Sequence, residues 1–228
     1  MLNIKEMLLT STVTRPKKLI SPRAVVIHWT ANTAKGANAE ANRNYFNTTD
    51  RAASAHYIVD DHEIVQCIPE NEMAYHVGAK TYKQEAVQRL GKYPNNCTIG
   101  IEICVNEDGD WDKTYQRTVE LVVDILLRHG LFTNNLWRHY DITGKDCPKP
   151  LLDPDKWKQF LVDVQNAYEK RVKGGPEMKS EDALKVANIL GAVYNLAGTI
   201  RTEQIVIAQE EIHRLANEVR KAGGLPTT

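Results

Sequence analysis

Two histidines and a cysteine stand out from the chain by their surroundings. Ala24-Val25-Val26-Ile27-His28-Trp29-Thr30 is an apolar, β-branched run that leads into an imidazole. Arg138-His139-Tyr140-Asp141-Ile142-Thr143-Gly144-Lys145-Asp146-Cys147-Pro148 carries a second imidazole and a thiol on one short segment. Zinc takes nitrogen and sulfur donors. A site with only three protein ligands leaves its fourth position for water, acidified to a pKa of about 7. Two imidazoles and one thiolate therefore suit a hydrolytic metal centre, where a fourth such donor would suit a structural finger. A second chemistry is open to the same residues: Cys147 as a nucleophile paired with a histidine, its pKa lowered by Lys145. A histidine ending a strand is also, by itself, an ordinary satisfied polar residue.

Hydrolysis of an amide needs more than a metal: a base, a stabiliser for the oxyanion and a proton for the leaving amine. Glu102 interrupts the otherwise apolar strand pattern Thr98-Ile99-Gly100-Ile101-Glu102-Ile103. Alternation with Ile101 and Ile103 gives it a face of its own. It is the candidate base, against the alternative of a carboxylate on a solvated face. Lys145, close to the thiol, is the candidate for oxyanion stabilisation.

The elements that must position these groups follow from periodicity and punctuation. Residues 23–28 read as a buried strand, 30–36 as a polar loop, and 37–46 as a helix closed by Asn47-Thr48-Thr49-Asp50. Residues 54–59 and 63–68 form a predicted hairpin through Asp60-Asp61-His62. A short helix over 83–90 ends at Gly91, and 98–105 is the next strand. Helical spacing of Val119, Val122, Val123, Leu126 and Leu127 predicts a helix over 112–129 with Gly130 as its C-cap. Residues 136–138 form a short strand delivering His139. A helix over 154–171 starts at Pro154 with Asp153 as N-cap. Strands mixed with helices, without strict alternation, predict an α/β fold: a mixed sheet flanked by helices.

Length and composition bound the rest. The chain has 228 residues, enough for a medium domain and a small one, and its 29 basic and 29 acidic residues cancel. Such a balance gives no bulk attraction to nucleic acid or to an anionic membrane. No apolar run approaches the roughly 20 residues that span a bilayer. The first 18 residues hold neither an uninterrupted apolar core nor a small-residue cleavage site, so no secretory signal is expected there. The four cysteines, Cys67, Cys97, Cys104 and Cys147, are expected as free thiols, since a domain of this size needs no disulfides.

Five segments, in order, resemble the type 2 N-acetylmuramoyl-L-alanine amidases, a family that includes phage endolysins and animal peptidoglycan recognition proteins. They are Val25-Val26-Ile27-His28, Ser54-Ala55-His56-Tyr57-Ile58-Val59-Asp60, Ala74-Tyr75-His76-Val77-Gly78, Thr98-Ile99-Gly100-Ile101-Glu102-Ile103, and the segment from His139 to Pro148. The resemblance covers roughly residues 20–170. It implies that His28, His139 and Cys147 bind Zn2+, that Glu102 lies beside the metal, and that Lys145 is a catalytic lysine. It implies as substrate the amide between the lactyl group of N-acetylmuramic acid and L-alanine of the peptidoglycan stem peptide. His76 lies in a segment resembling one that lines the cleft and is expected to contact substrate. One position departs from the pattern. Several relatives carry a tyrosine where this chain has Ala55, which shifts proton transfer onto Glu102 and leaves His56 a structural or supporting role. The competing class is a non-catalytic peptidoglycan-binding protein of the same fold that has lost the metal thiolate; Cys147 and Glu102 argue against it.

Two domains and a linker are expected: a catalytic domain over 1–172, a Gly-Gly-Pro linker over 173–179, and a small all-α module over 180–228. In the module Ser180 and Thr202 are candidate helix caps. Ile205, Ala208, Ile212, Leu215 and Val219 recur at coiled-coil-like spacing. This organisation resembles a phage or prophage endolysin of a Gram-positive host, cytoplasmic until lysis and then acting on the cell wall. The endolysin resemblance implies that the module binds the wall, and because two helices in about 50 residues bury too little core to stand alone, it is also expected to self-associate. The codons of Lys173-Gly174-Gly175 permit a purine-rich ribosome-binding element upstream of Met178, so a separate 178–228 product is expected to join the full-length chain and raise avidity. The plainer reading of the same glycines is a flexible linker. Intact-mass analysis of the protein made from its native codons in bacteria is expected to show a co-purifying species starting at Met178 that Met178→Leu abolishes. Its absence from the native gene's product would end this reading.

Overall fold

In a computed structural model of the protein, the described residues are 2–173, with Arg214, Leu215, Asn217 and Val219 beyond them. The chain divides into two units, Met1–Lys170 and Arg171–Thr228. The first contains the sheet. Of the helix expected over 202–222, only the four isolated residues are described, and each is helical. The remainder of that helix, the helix capped by Ser180, Met178 and linker residues 174–179 lie outside the described residues.

Six strands form one sheet among the described residues: β1 (Lys5–Glu6), β2 (Ala24–Trp29), β3 (Tyr57–Val59), β4 (Ile64–Gln66), β5 (Thr98–Ile103) and β6 (Leu136–Arg138). Their spatial order is β1-β4-β3-β5-β2-β6. β3, β5, β2 and β6 run parallel, while β4 turns back antiparallel to β3 and β1 lies parallel to β4. The sheet is mixed, as expected, and the predicted hairpin is β3–β4. Its turn is built on Asp60, whose Oδ1 accepts from the backbone of His62 and Glu63 at 2.7 Å each.

Helices α1 (Ala39–Thr48), α2 (Gln84–Leu90), α3 (Trp111–His129), α4 (His139–Thr143) and α5 (Pro154–Lys173) flank the sheet. Alternation divides each strand between two faces. Val25 and Ile27 of β2 and Ile99, Ile101 and Ile103 of β5 pack with Val119, Leu121 and Val122 of α3 and Phe160 and Val164 of α5. The opposite face carries Ala24 and Val26 against Ala86, Leu90 and Ile142. His28 continues that second row. Gly130 ends α3 with φ 61°, and Asp153 Oδ1 accepts from the backbone of Asp155 and Lys156, so both predicted caps are present.

Two of these strands and helices were not expected. β1 is too short to carry a periodicity. α4 begins at His139 itself, so this histidine opens a helix where the sequence suggested a strand end. Asp141 explains the turn: its Oδ2 accepts from the Arg138 backbone at 3.0 Å. The Arg138 guanidinium then grips Asp141 through Nε and Nη2, at 3.0 and 2.8 Å, and donates from Nη1 to the carbonyls of Leu151 and Leu152. One side chain thereby ties the end of β6 and the start of α4 to the turn that follows Cys147. Lysine carries the charge without the fork and cannot serve all four contacts at once. Arg138→Lys is expected to destabilise the fold by about 2 kcal/mol, the scale of losing one or two charge-assisted hydrogen bonds, read by urea denaturation. Unchanged stability would show that the clamp contributes nothing.

Candidate metal centre

Parallel strands put their carboxyl ends on one edge of the sheet, where α/β proteins commonly build their sites. β2 and β5 pair in the register His28↔Glu102, and β2 and β6 in the register Ile27↔Arg138. The next residue after Arg138 is His139. Three strand ends thus bring His28, Glu102 and His139 to one edge, and the loop after α4 returns Cys147 to it. Tyr140 N–H donates to the Cys147 carbonyl at 2.8 Å, and Cys147 N–H to the Lys145 carbonyl at 2.7 Å, which fixes the return.

Among the described residues, His28, His139 and Cys147 form the group able to hold a metal ion, one donor atom from each within 4.8 Å of the others. His28 Nδ1 lies 3.1 Å from His139 Nδ1 and 3.6 Å from Cys147 Sγ. Tetrahedral bonds of about 2.05 Å to nitrogen and about 2.3 Å to sulfur separate two nitrogens by about 3.3 Å, and a nitrogen from a sulfur by about 3.6 Å. Both distances from His28 match that geometry, and the donors of His139 and Cys147 lie within 4.8 Å of each other. All three residues are nearly inaccessible, at 1%, 5% and 3% exposure.

Burial governs the protonation of these groups. It holds the His28 pKa well below the usual range, helped by the neighbouring imidazoles of His76 and His139, and it lowers His139 to about 4 with help from Lys145. Both imidazoles are neutral at neutral pH, as metal ligands must be. Burial and the Glu102 carboxyl push the Cys147 thiol up to about 12, against weaker opposing effects of the Trp29 backbone and Lys145. Burial likewise raises Glu102 to about 8, opposed by Lys145. Glu102 Oε2 is buried and has no hydrogen-bond partner among the described residues. Lys145 itself is exposed at the rim.

The other expected residues are placed as follows. His56 is structural: its Nδ1 accepts from Gly100 N–H at 2.9 Å and its Nε2 donates to the Glu72 carbonyl at 2.8 Å. Ala55 is fully buried. His76, expected to contact substrate, is also buried. Its Nδ1 lies 3.0 Å from His28 Nε2, and its Nε2 lies 3.1 Å from Thr98 Oγ1, so neither ring nitrogen is free for a substrate. A pattern in β5 could have pointed to this. Thr98, Gly100 and Glu102 share one face of a strand whose other face is all isoleucine. Cys67, Cys97, Cys104 and Cys147 are free and buried.

The N-acetylmuramoyl-L-alanine amidase family model (Amidase_2) matches residues 18–150, more than half of the chain. The chain belongs to this family. The amidase CwlL of Bacillus licheniformis is 42% identical over 154 residues, which are 64% of this chain and 42% of that protein. The amidase XlyA of Bacillus subtilis (strain 168) is 35% identical over 150 residues, 66% of this chain and 46% of that protein. The chain thus spans less than half the length of these relatives. The solved catalytic domain of XlyA is 33% identical with a TM-score of 0.62, covering 72% of this chain and 99% of that domain. The structure of PlyL, at 26% identity and a TM-score of 0.60, covers 72% of this chain and 98% of that one. The family match over residues 18–150 takes in the sheet edge that gathers His28, His139 and Cys147.

The buried imidazoles give this site a pH signature. His28, His56, His76 and His139 all have lowered pKa values, His56 and His139 near 4, chiefly through burial. In the unfolded chain they take up protons near pH 6.5, while in the folded chain they do not. As pH falls from 6.5 towards 4 the unfolded state binds more protons, and stability is lost. The raised Glu102 carboxyl works in the opposite direction, from about pH 8 down to about 4.5, one group against four. The thermal midpoint of the metal-free protein is expected to be lower at pH 5.5 than at pH 7.5. An equal or higher midpoint at pH 5.5 would mean that these imidazoles are charged in the fold.

Proposed function

We propose that this chain is a zinc-dependent N-acetylmuramoyl-L-alanine amidase of the endolysin kind. It hydrolyses the amide between the lactyl group of N-acetylmuramic acid and L-alanine of the stem peptide. The observation that carries the reading is the convergence of donor atoms of His28, His139 and Cys147 within 4.8 Å of one another, with both distances from His28 Nδ1 near tetrahedral spacing, in a chain of the amidase family. Zinc, when bound, lowers the pKa of water to about 7 and polarises a carbonyl oxygen.

The chain's own residues supply the rest. Glu102, beside His28 in the sheet, takes the proton of the attacking water at Oε2. The new C–O bond forms as the amide C–N bond breaks, and Glu102 returns the proton to the departing alanine nitrogen. Its burial supports this duty, since a carboxyl raised towards neutrality can both accept and return a proton. Lys145, at the rim, offers its ammonium to the negative charge that develops on the carbonyl oxygen. The thiol-nucleophile alternative draws little support. A Cys147–histidine ion pair would need a charged imidazole and an anionic sulfur where burial disfavours both. The non-catalytic binding alternative leaves the buried, unpaired Glu102 Oε2 without a purpose.

In this reading residues 1–172 are the catalytic domain, and 173–179 link it to a 180–228 module that binds the wall and self-associates. Peptidoglycan is the partner, and the protein acts from the cytoplasm on the wall at lysis. No helix among the described residues is long and apolar enough to cross a membrane.

Clearing of purified Gram-positive walls is expected to stop on chelation and to return with zinc, releasing new alanine amino termini. Cys147→Ser should lose metal and activity together. Glu102→Gln should retain zinc while kcat falls by roughly 100-fold or more, and Lys145→Ala should behave similarly. Full clearing by a Cys147→Ser protein that still holds zinc would overturn the ligand set. Near-normal turnover by Glu102→Gln would return that residue to a structural role.

A further inference from the structure

The hydrogen bonds behind His28 run in one direction, and each link forces the next. Thr98 Oγ1 donates its only proton to the Pro94 carbonyl at 2.8 Å. It can therefore only accept from His76 Nε2, 3.1 Å away, and the Thr98 carbonyl, 3.3 Å from the same nitrogen, can only accept as well. His76 must carry its proton on Nε2. In a neutral imidazole the other nitrogen is then a bare acceptor. His76 Nδ1 faces His28 Nε2 at 3.0 Å, so His28 carries its proton on Nε2. That leaves the lone pair of His28 Nδ1 pointing at His139 and Cys147.

The surroundings are built around this chain of bonds. Asn95, fully buried, holds the backbone N–H groups of His76 and Val77 with Oδ1, at 3.3 and 3.0 Å. Gly100 lies under the His76 ring. A Cβ there would sit 2.5 Å from His76 Cγ and 2.7 Å from its Nδ1, closer than any real contact, so the ring can occupy this place only over glycine.

We propose that His76 is a positioning residue for the metal. Anchored by Thr98 and seated over Gly100, it locks His28 in the Nε2–H tautomer and presents Nδ1 as the ligand atom. The other tautomer would place a proton on Nδ1, where the metal must bind. The spacing Thr98-x-Gly100-x-Glu102 thereby acquires one reading along a single strand face: anchor, space for the relay ring, and base. As a statement about metal binding, this rests on the zinc reading above. As a statement about the tautomer of His28, it does not.

Two measurements on the full chain test it separately. Long-range proton–nitrogen correlation spectra of the imidazoles should show His28 as the Nε2–H form in both metal-free and zinc-loaded protein. Zinc affinity, by competition with a chromogenic chelator, should fall about 10–100-fold in His76→Leu, the usual cost of losing an outer partner of a metal-ligating histidine. His76→Asn, which returns an acceptor oxygen near the Nδ1 position, should recover most of that loss. Thr98→Val and Gly100→Ala should weaken binding in the same direction, although neither touches a ligand. Thr98→Val preserves shape, so it reports even where a bulkier change prevents folding. A His28 carrying its proton on Nδ1 in the metal-free protein would overturn the relay. So would unchanged zinc affinity in folded Thr98→Val and His76→Leu. A wild-type chain that binds no zinc yet shows His28 as the Nε2–H form would sink the zinc reading and leave the relay standing.

Discussion

The parallel pairing of β2 with β5 and β6 is the constraint on which the rest depends. Parallel strands end together, and their register decides which side chains stand next to each other at the shared edge. Here it sets His28 beside Glu102 and carries the chain from Ile27↔Arg138 directly into His139. A slip of one residue in either pairing would turn a donor to the opposite face of the sheet. The isoleucine row of β5 resists that slip, because it would leave the core shared with α3 and α5.

A dry edge is useful only if its polar groups arrive in a fixed state. Burial keeps the imidazoles neutral and disfavours a free thiolate, so the cluster suits a cation that can offset the anionic sulfur. An unpaired buried carboxyl oxygen costs stability, and such groups gather where chemistry needs them. Glu102 Oε2 is one, at the same edge as the three donors. The histidines behind the site show the opposite economy. His56 uses both ring nitrogens on the backbone, and His76 uses both between His28 and Thr98. Their bonds hold the floor of the site without asking for a charge.

Rigidity of the segment that carries His139 and Cys147 has a different source. His139 and Cys147 belong to one loop-rich stretch, and loops hold geometry poorly unless something grips them. Arg138 does so, bridging β6, the first turn of α4 and the carbonyls of Leu151 and Leu152. The guanidinium also lies 5.3 Å from the Trp157 ring centroid, which ties the clamp to α5. Strand register thus positions one candidate donor, and a forked side chain holds the frame of the other two.

Much of this was written in local sequence. Alternation marked Glu102 as the odd residue of an apolar strand, Gly130 and Asp153 marked helix ends, and Asp60-Asp61-His62 marked a hairpin turn. Each depends on neighbours within a few positions, where backbone sterics and side-chain periodicity act directly. Residue types made His28, His139 and Cys147 candidate donors, and the family resemblance singled out the metal reading. Their meeting could not be read that way, since His28 lies 111 residues from His139 and 119 from Cys147. Nor could the place of His76, which motif resemblance put against substrate and the fold put behind His28. Nothing near His76 in the chain announces Thr98 or Gly100 as its neighbours. Contacts across that distance follow from strand order and register. Those are decided by how the whole apolar pattern packs, because the energy that selects them is spread over every buried face at once.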